Sequence, residues 1–461
     1  MKKNLEVLFV NLLIFSSCLI WGQQTRIELG DRYFNHQAFE KAKLLYLNAN
    51  KTRIIYAKLG DCYYYTSNPE VAVKYYDSAF AGNNNSSFLN KYRLRYALSL
   101  LSNGRQNSAL IEFKKLNPNN ENLETRKIDT SSNHVAENLI TINSENSDFG
   151  SYIYNDTLYY ASSRLTTTSK KEKKRNHNKK LYKWNEHPYL DLYSASIERN
   201  NNADIFTPIH SDNSIIGFNT YAHEASIAIV NDNEMYFSGG IVNKKNKIIY
   251  NKRGVSNLKI QKAKRQGTKW VLDSIGTKAL DFINLENYSI GNPTLSPDKK
   301  RMFFVSCAPY PEAKGQSDIY YVDIDGDKFG KVKSVPIINT NGRESFPFIS
   351  SSGDLYFSSD GFYNNKLGFG LLDIYKVENI NEFIEMINKK TAKGLSDYNE
   401  FEKKIIHMGS PFNSNKDDFA FYLDEHKDIN NSPMNAFFSS NRKHPDAKGN
   451  DDIYRVKLDN K

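Results

Sequence analysis

Cysteine is almost missing from this chain. Three cysteines in 461 residues cannot build a disulfide framework. Cys18 falls in an N-terminal apolar segment, and Cys62 and Cys307 both read as small buried apolar residues. No CxxC pair occurs, so thiol redox chemistry and cysteine-based zinc sites have no foothold. Long apolar runs are also lacking. After residue 22 no stretch is apolar enough to span a bilayer. The usual marks of catalysis are absent too. There is no GxSxG elbow and no phosphate-binding glycine loop. His223-Glu224 begins like the zinc-protease pair, but the fifth residue of that pattern is Ile227. Asp323-Ile324-Asp325-Gly326-Asp327 resembles a calcium loop without its closing glutamate, and reads as a hairpin turn. No catalytic, cofactor-binding or metal-ligating residue is singled out. No cofactor is expected, and the chain is expected not to be an enzyme.

Aromatic residues are abundant. They make up 13% of the chain, enough to build extensive cores. The formal charge is +10, but much of the excess sits in Lys170 to Lys183, a run that reads as a solvated loop. No RRM, KH, zinc-finger or helix-turn-helix pattern accompanies it, so nucleic acid is not an expected partner. Residues 1–22 read as an export signal: Lys2 and Lys3 precede the mostly apolar Leu5 to Ile20. Phe15-Ser16-Ser17-Cys18 forms a loose lipobox, leaving open a lipid anchor at Cys18 or a cleaved soluble form. The expected location is the periplasm, beside the outer membrane.

Helical periodicity governs residues 23–116. Gly30, Ala42 and Ala49 repeat as Gly60, Ala72 and Ala79, and in part as Ala97 and Ala109 with Leu116. This spacing resembles the tetratricopeptide repeat, whose small residues let paired helices pack closely. Pro69 suits the start of a second helix in its unit. Residues 117–134 are polar and read as a linker.

From 135 to 461 the period falls to two. Five units share a β-rich string followed by a short terminal one. Three terminal strings are Asp318-Ile319-Tyr320, Asp373-Ile374-Tyr375 and Asp452-Ile453-Tyr454. The other two units end on Asp191-Leu192-Tyr193 and Leu258-Lys259-Ile260. One such unit leaves a sheet face bare, so the set is expected to close as a β-propeller, with six blades possible. The recurring Asp points to a turn or cap hydrogen bond. The last unit lacks an outer strand, which His134 to Asn143 can supply. A helix is expected near Ile380 to Lys389. The fold class is thus an α-solenoid followed by an all-β propeller.

These ordered motifs carry a resemblance. The stretches Asn143 to Arg164, Lys183 to Tyr193, Asn292 to Phe304 and Ile338 to Gly361 resemble the WD40-like (TolB-like) propeller of OmpA-family envelope proteins. The nearest members are PorE-like subunits of type IX secretion and gliding machinery. The resemblance implies a non-catalytic protein-binding scaffold, with an outer-membrane barrel of PorP/SprF type as partner. Such proteins usually continue into an OmpA-like wall-binding domain, for which residues 135–461 leave no candidate, so peptidoglycan tethering is not implied. The alternatives are a propeller that binds glycan or peptidoglycan fragments in its central channel, and a truncated paralogue without independent function. Aromatic and carboxylate side chains at the channel mouth favour the glycan alternative; a plain channel counts against it.

Overall fold

The computed structural model describes residues 25–458 except 83–86, 119, 128–133, 166–180, 200–203, 210–214, 327, 336, 393–398 and 426–433. The export segment with Cys18, and most of the Lys170 to Lys183 run, lie outside the described residues. The chain divides into two compact units. The first comprises 1–119 with 181–187 and 252–255, and the second holds the rest. Among the described residues no helix is long and apolar enough to cross a membrane.

The first unit is helical. A helix over 25–35 is followed by Phe39–Leu47, Arg53–Tyr65, Pro69–Phe80, Asn90–Ser102 and Gln106–Leu116. Pro69 does open its helix, and Asn68 caps it by accepting from the Val71 amide at 3.3 Å. The small residues let rings in. A Cβ on Gly30 would lie 2.7 Å from the Tyr46 ring, and one on Gly60 would lie 2.5 Å from the Tyr76 ring. Each ring then reaches the next residue: Tyr46 donates to Asp31 and Tyr76 to Asp61, both at 2.6 Å. Lys58 pairs with Asp31, and Arg95 grips Asp61 with two bonds of 2.7 and 2.8 Å. In the third pair of helices Ala97 replaces the glycine, Leu98 the aspartate and Phe113 the tyrosine. The acid and its phenol are lost together, as a buried carboxylate without a donor would require. Trp184, from the segment 181–187, packs edge-on to Phe39 and donates to the Tyr65 carbonyl.

The second unit is a five-bladed β-propeller. Blade 1 is Asp148–Tyr154, Thr157–Ser162, Asp191–Glu198 and Ile205–Pro208. Blade 2 is Glu224–Asn231, Glu234–Gly240, Leu258–Gln266 and Lys269–Leu272. Blade 3 runs Ile290–Leu295, Arg301–Ser306 and Asp318–Asp325, with two short outer strands, Lys328–Phe329 and Lys333–Ser334. Blade 4 is Glu344–Ile349, Leu355–Ser359, Asp373–Val377 and Ile405–His407. Blade 5 is Asp418–Asp424, Met434–Ser440 and Asp452–Leu458, completed by Glu137–Asn138. The ring therefore closes between the two ends of the β region, with Glu137 opposite Arg455 and Asn138 opposite Tyr454. Closure leaves only short outer edges unpaired.

Apolar clusters fill the seams between blades. Leu158, Tyr160, Phe437 and Ile453 join blades 1 and 5; Tyr159, Met235 and Trp270 join blades 1 and 2. The helix Ile380–Ala392 caps the seam of blades 3 and 4 with Ile380, Phe383, Ile384 and Ile387, one helical face. Polar clasps repeat beside these clusters. Five asparagines, each just ahead of an inner strand, bond both backbone groups of one residue in the third strand of the preceding blade. The pairs are Asn143 with Ile453, Asn219 with Leu192, Asn284 with Ile260, Asn339 with Ile319 and Asn413 with Ile374.

The recurring terminal aspartates close turns. Asp318 accepts from the Lys314 and Gly315 amides, Asp452 from those of Lys448 and Gly449, and Asp373 from that of Phe369. Asp325 and Lys328 pair as a hairpin, so the calcium-like string is a turn. Part of the polar 117–134 stretch departs from a linker. Glu124 bridges to Lys366, and Arg126 donates to the Tyr363 carbonyl. Cys62 is buried as expected, whereas Cys307 is exposed, and both are free thiols.

Candidate functional site

The five inner strands line a central channel, and each carries the same irregularity. A bulge falls between Phe149 and Tyr152, Ala225 and Ile227, Gly291 and Thr294, Ser345 and Phe348, and Phe419 and Tyr422. One residue of each bulge has positive φ: Gly150, Ser226, Asn292, Phe346 and Ala420. Only one of the five is glycine. The other four hold a conformation that costs about 1–3 kcal/mol each and survives only where surroundings impose it. Bulges turn side chains that would otherwise alternate in strict register. Here they divide the channel into two ends.

At one end the rings of Phe149, Phe346 and Phe419 meet, with centroids 5.0–6.1 Å apart. Between the ends a narrow space of about 50 Å³ is lined by Ser151, Ser226, Asn292 and Thr294 among others. Asn292 donates to Ser226 at 2.8 Å. The Ser151 hydroxyl is buried here and has no hydrogen-bond partner among the described residues.

At the other end the channel widens into a mouth of about 380 Å³. Tyr152, Phe348 and Tyr422 stand at equivalent places on three inner strands, where blades 2 and 3 carry the smaller Ala228 and Thr294. Tyr422 lies 5.4 Å from Tyr152 and 4.8 Å from Phe348, centroid to centroid. Tyr422 donates to the Ile153 carbonyl at 2.8 Å, and the Tyr152 hydroxyl accepts from the Ile229 amide at 3.2 Å. Burial pushes the Tyr152 hydroxyl up to about 12 and that of Tyr422 well above its ordinary value, so both phenols stay neutral. Tyr154 adds a fourth ring at the rim.

Carboxylates surround these rings. Arg199 gathers three of them: Asp156 at 3.1 Å, Asp204 at 3.0 Å and Asp424 at 2.5 Å. Glu425 is fixed by the Ser351 amide and hydroxyl at 2.7 and 2.8 Å. Asp156, Asp424 and Glu425 all border the mouth, as does Lys299. The mouth is therefore aromatic and acidic, not plain.

Other acids near the channel are structural. Asp148, Glu224, Glu344 and Asp418 begin four inner strands and are fully or nearly fully buried. Each accepts from the backbone amide of a Ser or Thr four residues earlier. Blade 3 has Ile290 at that place. The His223 ring accepts from the Leu190 amide and sits on Tyr189, so it serves as a packing and turn residue. Among the described residues no cluster of three or more His, Cys, Asp or Glu suits a metal ion.

No family model and no curated protein matches this chain. Solved structures do. A gluconolactonase from Xanthomonas campestris shares 9% identity over 73% of this chain and 95% of its own, with a TM-score of 0.34. A β-xylosidase/α-arabinofuranosidase from a compost metagenome, solved with xylotriose, shares 9% over 71% and 96%, at 0.35. An α-L-arabinofuranosidase of Fusarium graminearum shares 8% over 71% and 98%, at 0.35. At these identities the likeness is one of fold.

Two expectations from the sequence are corrected here. The chain was expected to be a non-catalytic scaffold and not an enzyme. The solved structures similar to it are enzymes, sugar-active ones and peptidases among them. Missing linear motifs do not show missing chemistry. A propeller assembles its site from strands some 70 residues apart, one or two side chains per blade, and leaves no local motif to find.

Proposed function

We propose that the second unit is a glycan-active propeller whose site is the channel mouth. The observation that carries this is the meeting of Tyr152, Tyr154, Phe348 and Tyr422 with Asp156, Asp424 and Glu425 around one recess. A sugar ring has apolar C–H faces and a rim of hydroxyls. Aromatic faces cover the first, and carboxylates and Arg199 accept from and donate to the second. A volume of about 380 Å³ lies in the range of small-ligand sites. Two carboxylates facing one recess are also the minimum that glycoside cleavage needs. The test is incubation of the full chain with a panel of defined oligosaccharides, with retention and product release both read. Tyr154→Ala and Glu425→Gln, at partly exposed positions, should each weaken retention about tenfold with unchanged circular dichroism. Retention that ignores both variants would reject the mouth as the site.

Two finer readings stand beside this one. The first unit is read as tetratricopeptide-like repeats, on the repeated Gly30/Tyr46 and Gly60/Tyr76 packing. Export, read from residues 1–22, would bring the mouth among extracytoplasmic glycans. Signal cleavage at the native N-terminus tests it.

A further inference from the structure

The mouth does not end at the inner strands. A second recess of about 710 Å³ opens between blades 2 and 3, and Leu295 and Lys299 line both. Tyr236 and Phe329 lie in its walls, and Ile275, 82% exposed, stands at its border. Each recess alone is the size of a small-ligand site. Their shared walls set the two recesses side by side, one at the channel and one between blades 2 and 3.

Lys299 marks the junction. Of the other cations lining the two recesses, Arg199 is matched by three carboxylates and Lys262 by Glu234 at 2.9 Å, while Lys300, also without a carboxylate partner among the described residues, lines only the outer recess. Lys299 has no carboxylate partner among the described residues, and burial pushes its amine below the ordinary lysine value. Its backbone is left-handed, with φ of 58°, so the turn fixes where the side chain starts. An unmatched cation that lines both recesses suits an anion on the ligand.

Resting on the glycan reading above, we propose that the joined recesses take an oligosaccharide chain bearing an acidic unit, with that unit's anionic group at Lys299. Uronate and sulfate both supply such a group. The chain enters at the mouth, crosses Lys299, and ends against Ile275.

The experiment is binding of the full chain to an immobilised panel of neutral, uronate-bearing and sulfated oligosaccharides of one to eight units, with polyglutamate as control. The proposal expects acidic chains of four or more units to be held at least tenfold more tightly than neutral chains or acidic monosaccharides. Lys299→Asn keeps a residue that tolerates the left-handed turn. It should erase the preference for acidic chains, a loss of about tenfold. Ile275→Asp, at an exposed position, should erase the gain with length and leave binding of short units unchanged. The uronate and sulfate arms identify the anion. Equal binding of neutral and acidic chains, equal binding of one unit and four, or equal binding of polyglutamate would each overturn the proposal. If Tyr154→Ala then still weakens sugar binding about tenfold, the mouth reading survives that failure. Binding of no sugar at all would overturn both.

Discussion

Asn339→Ala should unclasp one seam of the propeller. The Asn339 side chain is 2% exposed. Its amide donates to the Ile319 carbonyl at 2.9 Å, and its oxygen accepts from the Ile319 amide at 2.8 Å. Alanine removes both partners and supplies neither. Two buried backbone groups are then left unpaired, each costing about 1–3 kcal/mol. The expected loss is about 3 kcal/mol. Ile319 lies in the seam core, so water cannot easily replace the lost amide. The assay is urea unfolding followed by fluorescence, with Trp270 buried in the propeller as reporter. Lys331→Ala, at an exposed loop position, is the control. A loss under about 1 kcal/mol, or one equal to the control, would refute the clasp argument. Asn143→Ala removes the matching clasp at the closing seam and should cost as much or more.

In the first unit, Gly60→Ala should force the Tyr76 ring away and break its bond to Asp61, costing about 2–4 kcal/mol in a helical melt. Gly104→Ala is a poor control because of its positive φ, so an exposed helical residue such as Lys74→Ala serves instead. Burial raises Asp451 to about 6. The folded state then binds the proton more tightly than the unfolded one, so this group's contribution is largest below about pH 4 and fades as pH rises to about 6. Asp451→Asn should flatten that decline, by up to about 3 kcal/mol of unfolding free energy, in denaturant melts across the same window.

What could be read in the sequence follows a physical divide. Local interactions were legible. The aspartates of Asp318-Ile319-Tyr320 and its echoes bond amides three or four residues away, and their repetition identified a turn. The strand that completes blade 5 was legible because the last repeat was visibly one strand short. The clasps were half visible: Asn-Ser or Asn-Thr with an acid five residues after the Asn recurs at Asn143, Asn219, Asn339 and Asn413. Their partners sit in another blade, so the pattern alone did not reveal the bond. The mouth was not legible at all. Tyr152, Phe348 and Tyr422 read as ordinary alternating strand residues, and only bulges with positive φ at Gly150, Phe346 and Ala420 turn them into one wall. Nothing in Phe346 or Ala420 announces a left-handed backbone.

The most direct test is a crystal structure of the full chain grown with a bound acidic oligosaccharide of four or more units. The account requires a sugar ring packed against Tyr152, Phe348 and Tyr422, with hydroxyls on Asp424 or Glu425 and an anionic group at Lys299. Sugar bound elsewhere on the chain, or an empty mouth at saturating ligand, would contradict it.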